Sequence, residues 1–257
     1  MTHTMNPIRP VLLVTGGSRG IGAATATLAA TEGWAVAISY RSDAAAAARL
    51  VDAIVAAGGE AAAFPGDVAD DDAVVQLFAA LDAHFGEGRL RGLVNNAGIV
   101  DRPQRVDEMS AARLQRMFAV NVLGSMYCAR EAVLRMSPRH GGPGGHIVNV
   151  GSVAARLGSP AQYVDYAASK AAIDTFTLGL ARELAAEGIR VNAVRPGIID
   201  TEIHASGGEP DRVRQLTPII PMQRAGTAEE VARAILWLLS DAASYTTGAI
   251  IDVSGGR

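Results

Sequence analysis

Val11-Leu-Leu-Val-Thr-Gly-Gly-Ser-Arg-Gly-Ile-Gly22 is an apolar run that breaks into four glycines within seven residues and continues as an alanine-rich segment. The run reads as a β-strand, the glycines as a tight turn and the alanines as the start of a helix. In that setting glycines let backbone N–H groups approach a pyrophosphate, whose charge is favoured at the helix N-terminus. Gly16, Ser18, Arg19, Gly20, Ile21 and Gly22 are therefore candidate dinucleotide contacts.

Outward from this turn, short β-branched runs alternate with stretches of helical period along the whole chain. Strands are predicted at residues 11–15, 35–40, 61–65, 93–95, 146–150, 190–195 and 249–253. Helices are predicted over 44–57, which stops at Gly58-Gly59, and over 70–85, which opens on three acids where the helix dipole favours negative charge. Three more are predicted over 110–136, 163–187 and 227–239. This alternation implies an α/β protein, a single doubly wound parallel sheet of the Rossmann type with helices on both faces and right-handed crossovers. Residues 10–257 read as one catalytic domain and residues 1–9 as a flexible tail. The stretch at about 201–224, with Pro210, Pro218 and Pro221, reads as an irregular flap that closes over a substrate.

The 257 residues are 49% hydrophobic and 19% charged, with 23 Lys+Arg against 26 Asp+Glu and a formal net charge of −3. That balance excludes a disordered or collagenous chain and offers no electrostatic footprint for nucleic acid or an anionic membrane. The first nine residues lack the apolar core of a secretory signal. No apolar run approaches the ~20 residues that a bilayer span needs, so a cytoplasmic location is expected. Cys128, the one cysteine, has no partner for an intrachain disulfide. Neither it nor the five histidines show metal-ligand spacing, so no metal is expected.

Of the 23 cationic side chains only Lys170 is a lysine, in a chain that otherwise uses arginine. It closes Tyr166-Ala-Ala-Ser-Lys170 inside a predicted helix, so tyrosine and lysine share one face at i and i+4. A lysine charge there favours the phenolate and lowers the tyrosine pKa. Tyr163, with Ala167 four residues on, lacks such a partner. Upstream, the strand at 146–150 runs into Gly151-Ser152, which puts a hydroxyl at the carboxyl edge of the sheet, either to bond a reacting oxygen or to cap a turn. Asn121, a poor helix former within 110–136, is either a solvated exception or a group that disrupts the helix to hold a water.

The end of the second strand, where an acid would accept bonds from a free ribose 2′-OH, carries Ser39-Tyr40-Arg41-Ser42 instead. Arg41, with Ser42 beside it and Arg19 from the glycine turn, suits a 2′-phosphate, so NADP (NADPH) is preferred and NAD is possible. The arginines could equally be solvated, and Asp43 could aim at the ribose after a shift of two positions. Asp67-Val68 and Asn95-Asn96-Ala97-Gly98 also fall at carboxyl ends of strands, where they line the nucleotide groove or merely turn the chain.

Taken together, TGGSRGIG (15–22), NNAG (95–98), Asn121, Ser152, YAASK (166–170) and Pro196-Gly197 with Thr201 resemble the short-chain dehydrogenase/reductase family, from about Val11 to Gly256. Within it the chain looks similar to 3-oxoacyl-(acyl-carrier-protein) reductases and glucose 1-dehydrogenases. The resemblance implies Tyr166 as general acid/base and Lys170 as the ligand of the nicotinamide ribose that depresses the tyrosine pKa. It also implies Ser152 as the residue that positions the reacting oxygen and Asn121 as the holder of a relay water. Pro196, Gly197, Ile199 and Thr201 would then lie at the nicotinamide, with Thr201 and the Ile199 backbone on its carboxamide. It implies a homotetramer built partly by pairing long helices. One departure is a Ser152–Tyr166 segment about one residue longer than the pattern, placed around Gly158-Ser159-Pro160. The expected activity is NADPH-dependent reduction of a small-molecule ketone or 3-oxoacyl group. The alternatives are a sugar or polyol dehydrogenase and, in a different class, a nucleotide-sensing protein without chemistry.

Overall fold

A computed structural model describes residues 8–257; most of the predicted tail, residues 1–7, lies outside the described residues. Its last residue, Arg9, is held against the sheet, its carbonyl accepting two bonds from Arg89 at 2.7 and 3.2 Å. Seven parallel strands, β1 (Val11–Val14), β2 (Ala35–Tyr40), β3 (Glu60–Pro65), β4 (Leu90–Asn95), β5 (Gly145–Val150), β6 (Ile189–Pro196) and β7 (Ile250–Val253), form one sheet in the order β3-β2-β1-β4-β5-β6-β7. The chain winds outward from β1 to β3 and then crosses back to β4 on the other side of β1. The strand order therefore reverses between β1 and β4, and a crevice opens at their carboxyl ends.

Strand alternation divides the core into two layers. Leu12, Val14, Val36, Ile38, Val94 and Val148 face α1 (Gly20–Thr31), α2 (Ala44–Ala56) and α10 (Ala228–Leu239). Val11, Leu13, Ala35, Ala37, Leu93 and Ile147 face α3 (Asp71–Phe85), α5 (Gly124–Met136) and α7 (Val164–Leu184). Side chains of Asp43, Asp70 and Thr227 accept backbone N–H bonds at the starts of α2, α3 and α10, which satisfies donors the helices cannot pair internally.

Two expectations are corrected. The predicted helix over 110–136 is two helices, α4 (Ala111–Phe118) and α5, joined by a π-helical turn at Ala119–Leu123 that contains Asn121. From this wider turn the Asn121 side-chain amide bonds the main chain of Ile99 in both directions. The stretch at 201–224 is not irregular throughout. Short helices α8 (Ile203–Ser206) and α9 (Arg212–Leu216) form there, followed by a 3₁₀ turn at Thr217–Ile219. The remaining helix, α6 (Ala154–Leu157), follows β5. Among the described residues no helix is long and apolar enough to cross a membrane, and no group of three His, Cys, Asp or Glu side chains is placed to hold a metal.

Candidate active site

The turn after β1 is built as a cradle. Gly16 and Gly20 take φ of +60° and +53°, a region that favours glycine. A Cβ on Gly17 would fall 2.6 Å from Ile38 Cγ2, and one on Gly22 would fall 2.6 Å from both Asn96 Nδ2 and the Gly16 carbonyl. Only glycine leaves this backbone bare at a helix N-terminus. Asn96 locks it, donating through Nδ2 to the carbonyls of Thr15 (2.9 Å) and Gly16 (3.1 Å). Thr15 Oγ1 accepts in return from the N–H groups of Asn96 and Ala97, both at 3.0 Å.

A groove runs from this cradle across the sheet edge, lined by Gly16, Ser18, Arg19, Gly20, Ile21, Arg41, Ser42, Asp67, Val68, Ala97, Gly98 and Thr201. Arg19 and Arg41 are exposed, and among the described residues neither has an ion-pair partner. Asp43 caps α2, accepting from Ala46 N at 2.9 Å, which ties its carboxylate to the helix start. Gly22 lies beneath the groove rather than in it.

Asn95 is a correction among the expected cofactor contacts. It is the last residue of β4, and strand parity sends its side chain to the opposite layer, where Nδ2 donates to Ser125 O (3.1 Å) and Asn149 Oδ1 (2.9 Å). Asn149 Nδ2 in turn donates to Thr177 Oγ1 at 2.9 Å, a buried chain that fastens β4, β5 and α7 together below the site. Asn96, one residue on, is the member of the pair that reaches the groove, and counting parity from Val94 could have distinguished them.

The groove opens into a cleft lined by Ser152, Tyr166, Lys170, Pro196, Gly197, Ile199 and Thr201, with Tyr163, Arg212 and Arg257 at its walls. Gly197 permits a close chain approach, since a Cβ there would lie 2.8 Å from Ser254 Cα. The strand end of β5 sets Ser152, whose Oγ accepts from Ala154 N at 3.1 Å as a turn cap while the hydroxyl also favours ionisation of the Tyr166 phenol beside it. Across 158–161, Gly158, Ser159 and Ala161 take positive φ, a strained bend where the extra residue was expected.

Lys170 is buried, its Nζ 2.8 Å from the Val150 carbonyl and 5.7 Å from the centroid of the Tyr166 ring. Burial pushes its pKa down to about 8, against the carboxylate of Asp174, which raises it. Tyr166 corrects the expectation of a depressed pKa. Burial drives the phenol above its ordinary value, with the Ser152 hydrogen bond acting the other way. The ammonium is directed at the Val150 carbonyl, and the desolvation cost of a phenolate dominates. Asn121 sits behind Gly98. Its Oδ1 accepts from Ile99 N (2.8 Å) and its Nδ2 donates to Ile99 O (3.0 Å) and Ser169 Oγ (3.1 Å), which pins the loop after β4 to α7. A Cβ on Gly98 would lie 3.4 Å from Asn121 Oδ1 and 3.5 Å from Lys170 Nζ, so these two side chains border one small space.

An open α/β sheet with a glycine cradle at its switch point and a Ser-Tyr-Lys set at the adjoining strand ends defines a nucleotide-dependent oxidoreductase. Comparison with known proteins agrees. The pattern of a family described as enoyl-(acyl carrier protein) reductase matches residues 16–257. The uncharacterized oxidoreductase YgfF of Escherichia coli (strain K12) is 56% identical over 247 residues, covering 96% of this chain and 99% of its own. A 3-oxoacyl-(acyl-carrier-protein) reductase of Synechocystis is 40% identical over 248 residues, covering 96% of each chain. Among solved structures, a short-chain dehydrogenase from Burkholderia cenocepacia J2315 in complex with NADP superposes with a TM-score of 0.87 at 36% identity, covering 98% of this chain and 99% of that one. The chain belongs to the short-chain dehydrogenase/reductase family, and the protein is an oxidoreductase.

Proposed function

We propose that the protein is a cytoplasmic, NADPH-preferring reductase of ketones, 3-oxoacyl groups included. The observation that carries this reading is the convergence of Ser152, Tyr166 and Lys170 in a cleft continuous with the glycine groove. The bare backbone of the cradle fits a dinucleotide pyrophosphate, and Arg19 and Arg41, without ion-pair partners among the described residues, fit a 2′-phosphate. Lys170 would hold the nicotinamide ribose, while Thr201 and the Ile199 main chain, with Pro196-Gly197 behind them, would meet the carboxamide. Bound there, NADPH supplies the hydride.

The chain's own residues supply the rest. Ser152 donates a hydrogen bond to the substrate carbonyl, and Tyr166 gives its phenolic proton to the oxygen as negative charge builds there. A phenol kept protonated by burial is the form that carbonyl reduction requires. Lys170 and Asn121 bound the space in which a relay water returns a proton to Tyr166. The segment at 201–224 acts as the substrate flap. The family resemblance favours a homotetramer assembled partly by pairing the long helices, where Leu134 on α5 and Leu178 on α7 are exposed.

Titration with NADPH and NADH, followed by a screen of carbonyls and alcohols, tests the reading. Tight NADPH binding with reduction of an acetoacetyl thioester is expected. Turnover confined to oxidation of a glucose-like polyol would overturn it in favour of a sugar dehydrogenase, and binding without turnover would favour a nucleotide sensor.

Arg41→Ala is expected to raise the KM for NADPH by at least about tenfold, the scale of one lost charge-assisted bond, with little effect on NADH. Equal effects on the two cofactors would remove the argument for NADP. The pH profile offers a second check. With Lys170 titrating at about 8, carbonyl reduction is expected to decline as pH rises through that value and the ammonium loses its proton. Asp174 is a positioning residue here, because its carboxylate favours the charged lysine. In Asp174→Asn the alkaline limb of kcat/KM should move to lower pH, and an unmoved limb would show that Asp174 serves only its ion pair with Arg195.

A further inference from the structure

The cleft above Tyr166 is lined by three cationic side chains and, among the described residues, by no Asp or Glu side chain. Lys170 is committed to the reacting end through the Val150 carbonyl. Arg212 and Arg257 have no acidic partner among the described residues. Arg212, the first residue of α9, lies with its guanidinium 4.7 Å from the centroid of the Tyr163 ring and donates to Gln162 Oε1 at 3.0 Å. Arg257 enters the cleft from the segment after β7. Among the described residues neither guanidinium forms an ion pair, whereas Arg113, Arg130, Arg135 and Arg195 all do. Glu209, close enough for its charge to be felt at Tyr163, makes no ion pair with Arg212.

Both arginines are partly withdrawn from water, and burial together with the charge of Arg212 pushes the Arg257 guanidinium below its ordinary value. Two like charges so placed oppose each other unless an anion lies between them. The dinucleotide does not supply that anion, since its groove has its own cations in Arg19 and Arg41 and includes neither Arg212 nor Arg257. Val100, Val153, Leu157 and Ile203 give the same cleft an apolar share of its lining.

We propose that the substrate is a ketone that carries an oxyanion at the far end of an apolar chain, its carbonyl at Ser152 and Tyr166 and its carboxylate or phosphate between Arg212 and Arg257. This assignment rests on the reading of the cleft as a carbonyl-reducing site and deepens it by giving the substrate a charge and a polarity.

The test compares 7-oxooctanoate with its methyl ester, using NADPH and either the wild type or Arg212→Gln/Arg257→Gln. The acid-to-ester ratio of kcat/KM is expected to be about 10 to 100 in the wild type, the scale of charge-assisted bonds, and to collapse towards one in the variant. A ratio near one in the wild type, or the same ratio in both proteins, overturns the proposal while the ester's reduction leaves the reductase reading standing. A parallel arm with an oxoalkyl phosphate assigns the oxyanion: the arginine-dependent gain is larger for whichever group the site holds. Calorimetric titration of octanoate into both proteins needs no turnover, and the variant is expected to bind at least about tenfold more weakly. Arginine-dependent octanoate binding without reduction of either ketone would support the anion site and defeat the reductase reading. Octanoate binding that is absent or equal in the two proteins counts against the anion site.

Discussion

Tyr166→Phe is expected to lower kcat for carbonyl reduction by about a thousandfold, inside the roughly 10²–10⁴ that a positioned proton donor contributes. The change deletes one oxygen and keeps the ring that lines the cleft floor, so the cleft retains its shape. The other phenol of the cleft, Tyr163, stands at the wall under Arg212, and neither group beside Tyr166 takes over the proton. Ser152 has an ordinary hydroxyl that also caps the turn at Ala154, and the Lys170 ammonium is turned to the Val150 carbonyl. Cofactor affinity is expected to be nearly unchanged, because the cradle at Gly16–Gly22 and the two arginines of the groove do not depend on the phenol. Single-turnover reduction measured beside a calorimetric NADPH titration separates the two effects. Turnover retained at more than about a tenth of the wild-type rate would remove Tyr166 from the proton-transfer step, since that loss falls short of general acid catalysis.

Much of this site could be read from residue spacing. The glycine turn after the first apolar run, the single lysine four residues beyond a tyrosine and the hydroxyl after the fifth strand all depend on local sequence, and all three lie at the carboxyl edge of the sheet. What the sequence hid was set by packing over long separations. Asn121 reads from the sequence as a misfit in a helix, but the π-turn it occupies and its bonds to Ile99, 22 residues away, are visible only in the fold. Asn95 and Asn96 are an exception, since the strand's end at Asn95 is legible and parity along β4 alone separates the residue that faces the groove from the one that does not. Arg212 and Arg257 line one cleft because α9 and the segment after β7 both return to it, which no period or motif in the chain records. The direction of the Tyr166 shift was hidden for a related reason: spacing showed the lysine but not the burial that outweighs it.

Arg113→Met is expected to destabilise the protein by about 3–5 kcal/mol, the scale for removing one partner of a buried ion pair and leaving the other charge uncompensated. Arg113 on α4 and Asp165 in the first turn of α7 meet through two bonds at 2.8 and 3.2 Å, with side chains only 6% and 0% exposed. The same guanidinium donates to Arg102 O at 2.6 Å and Gln104 Oε1 at 2.8 Å, so it also anchors the loop after β4. For a chain of this size a loss of that order lowers Tm by roughly 10 °C, readable by thermal denaturation. Arg113→Met/Asp165→Asn is the decisive companion, because it removes the stranded charge along with its partner. Replacing both members of a buried pair is often near neutral, so the double variant should recover more than half of the lost stability. If it melts no higher than Arg113→Met, the loss comes from the loop anchors at Arg102 and Gln104. Activity distinguishes these outcomes again: Asp165 directly precedes Tyr166, so a pair that fixes the start of α7 predicts a fall in kcat in both variants, whereas a loop-anchoring role predicts a change in substrate KM with kcat preserved.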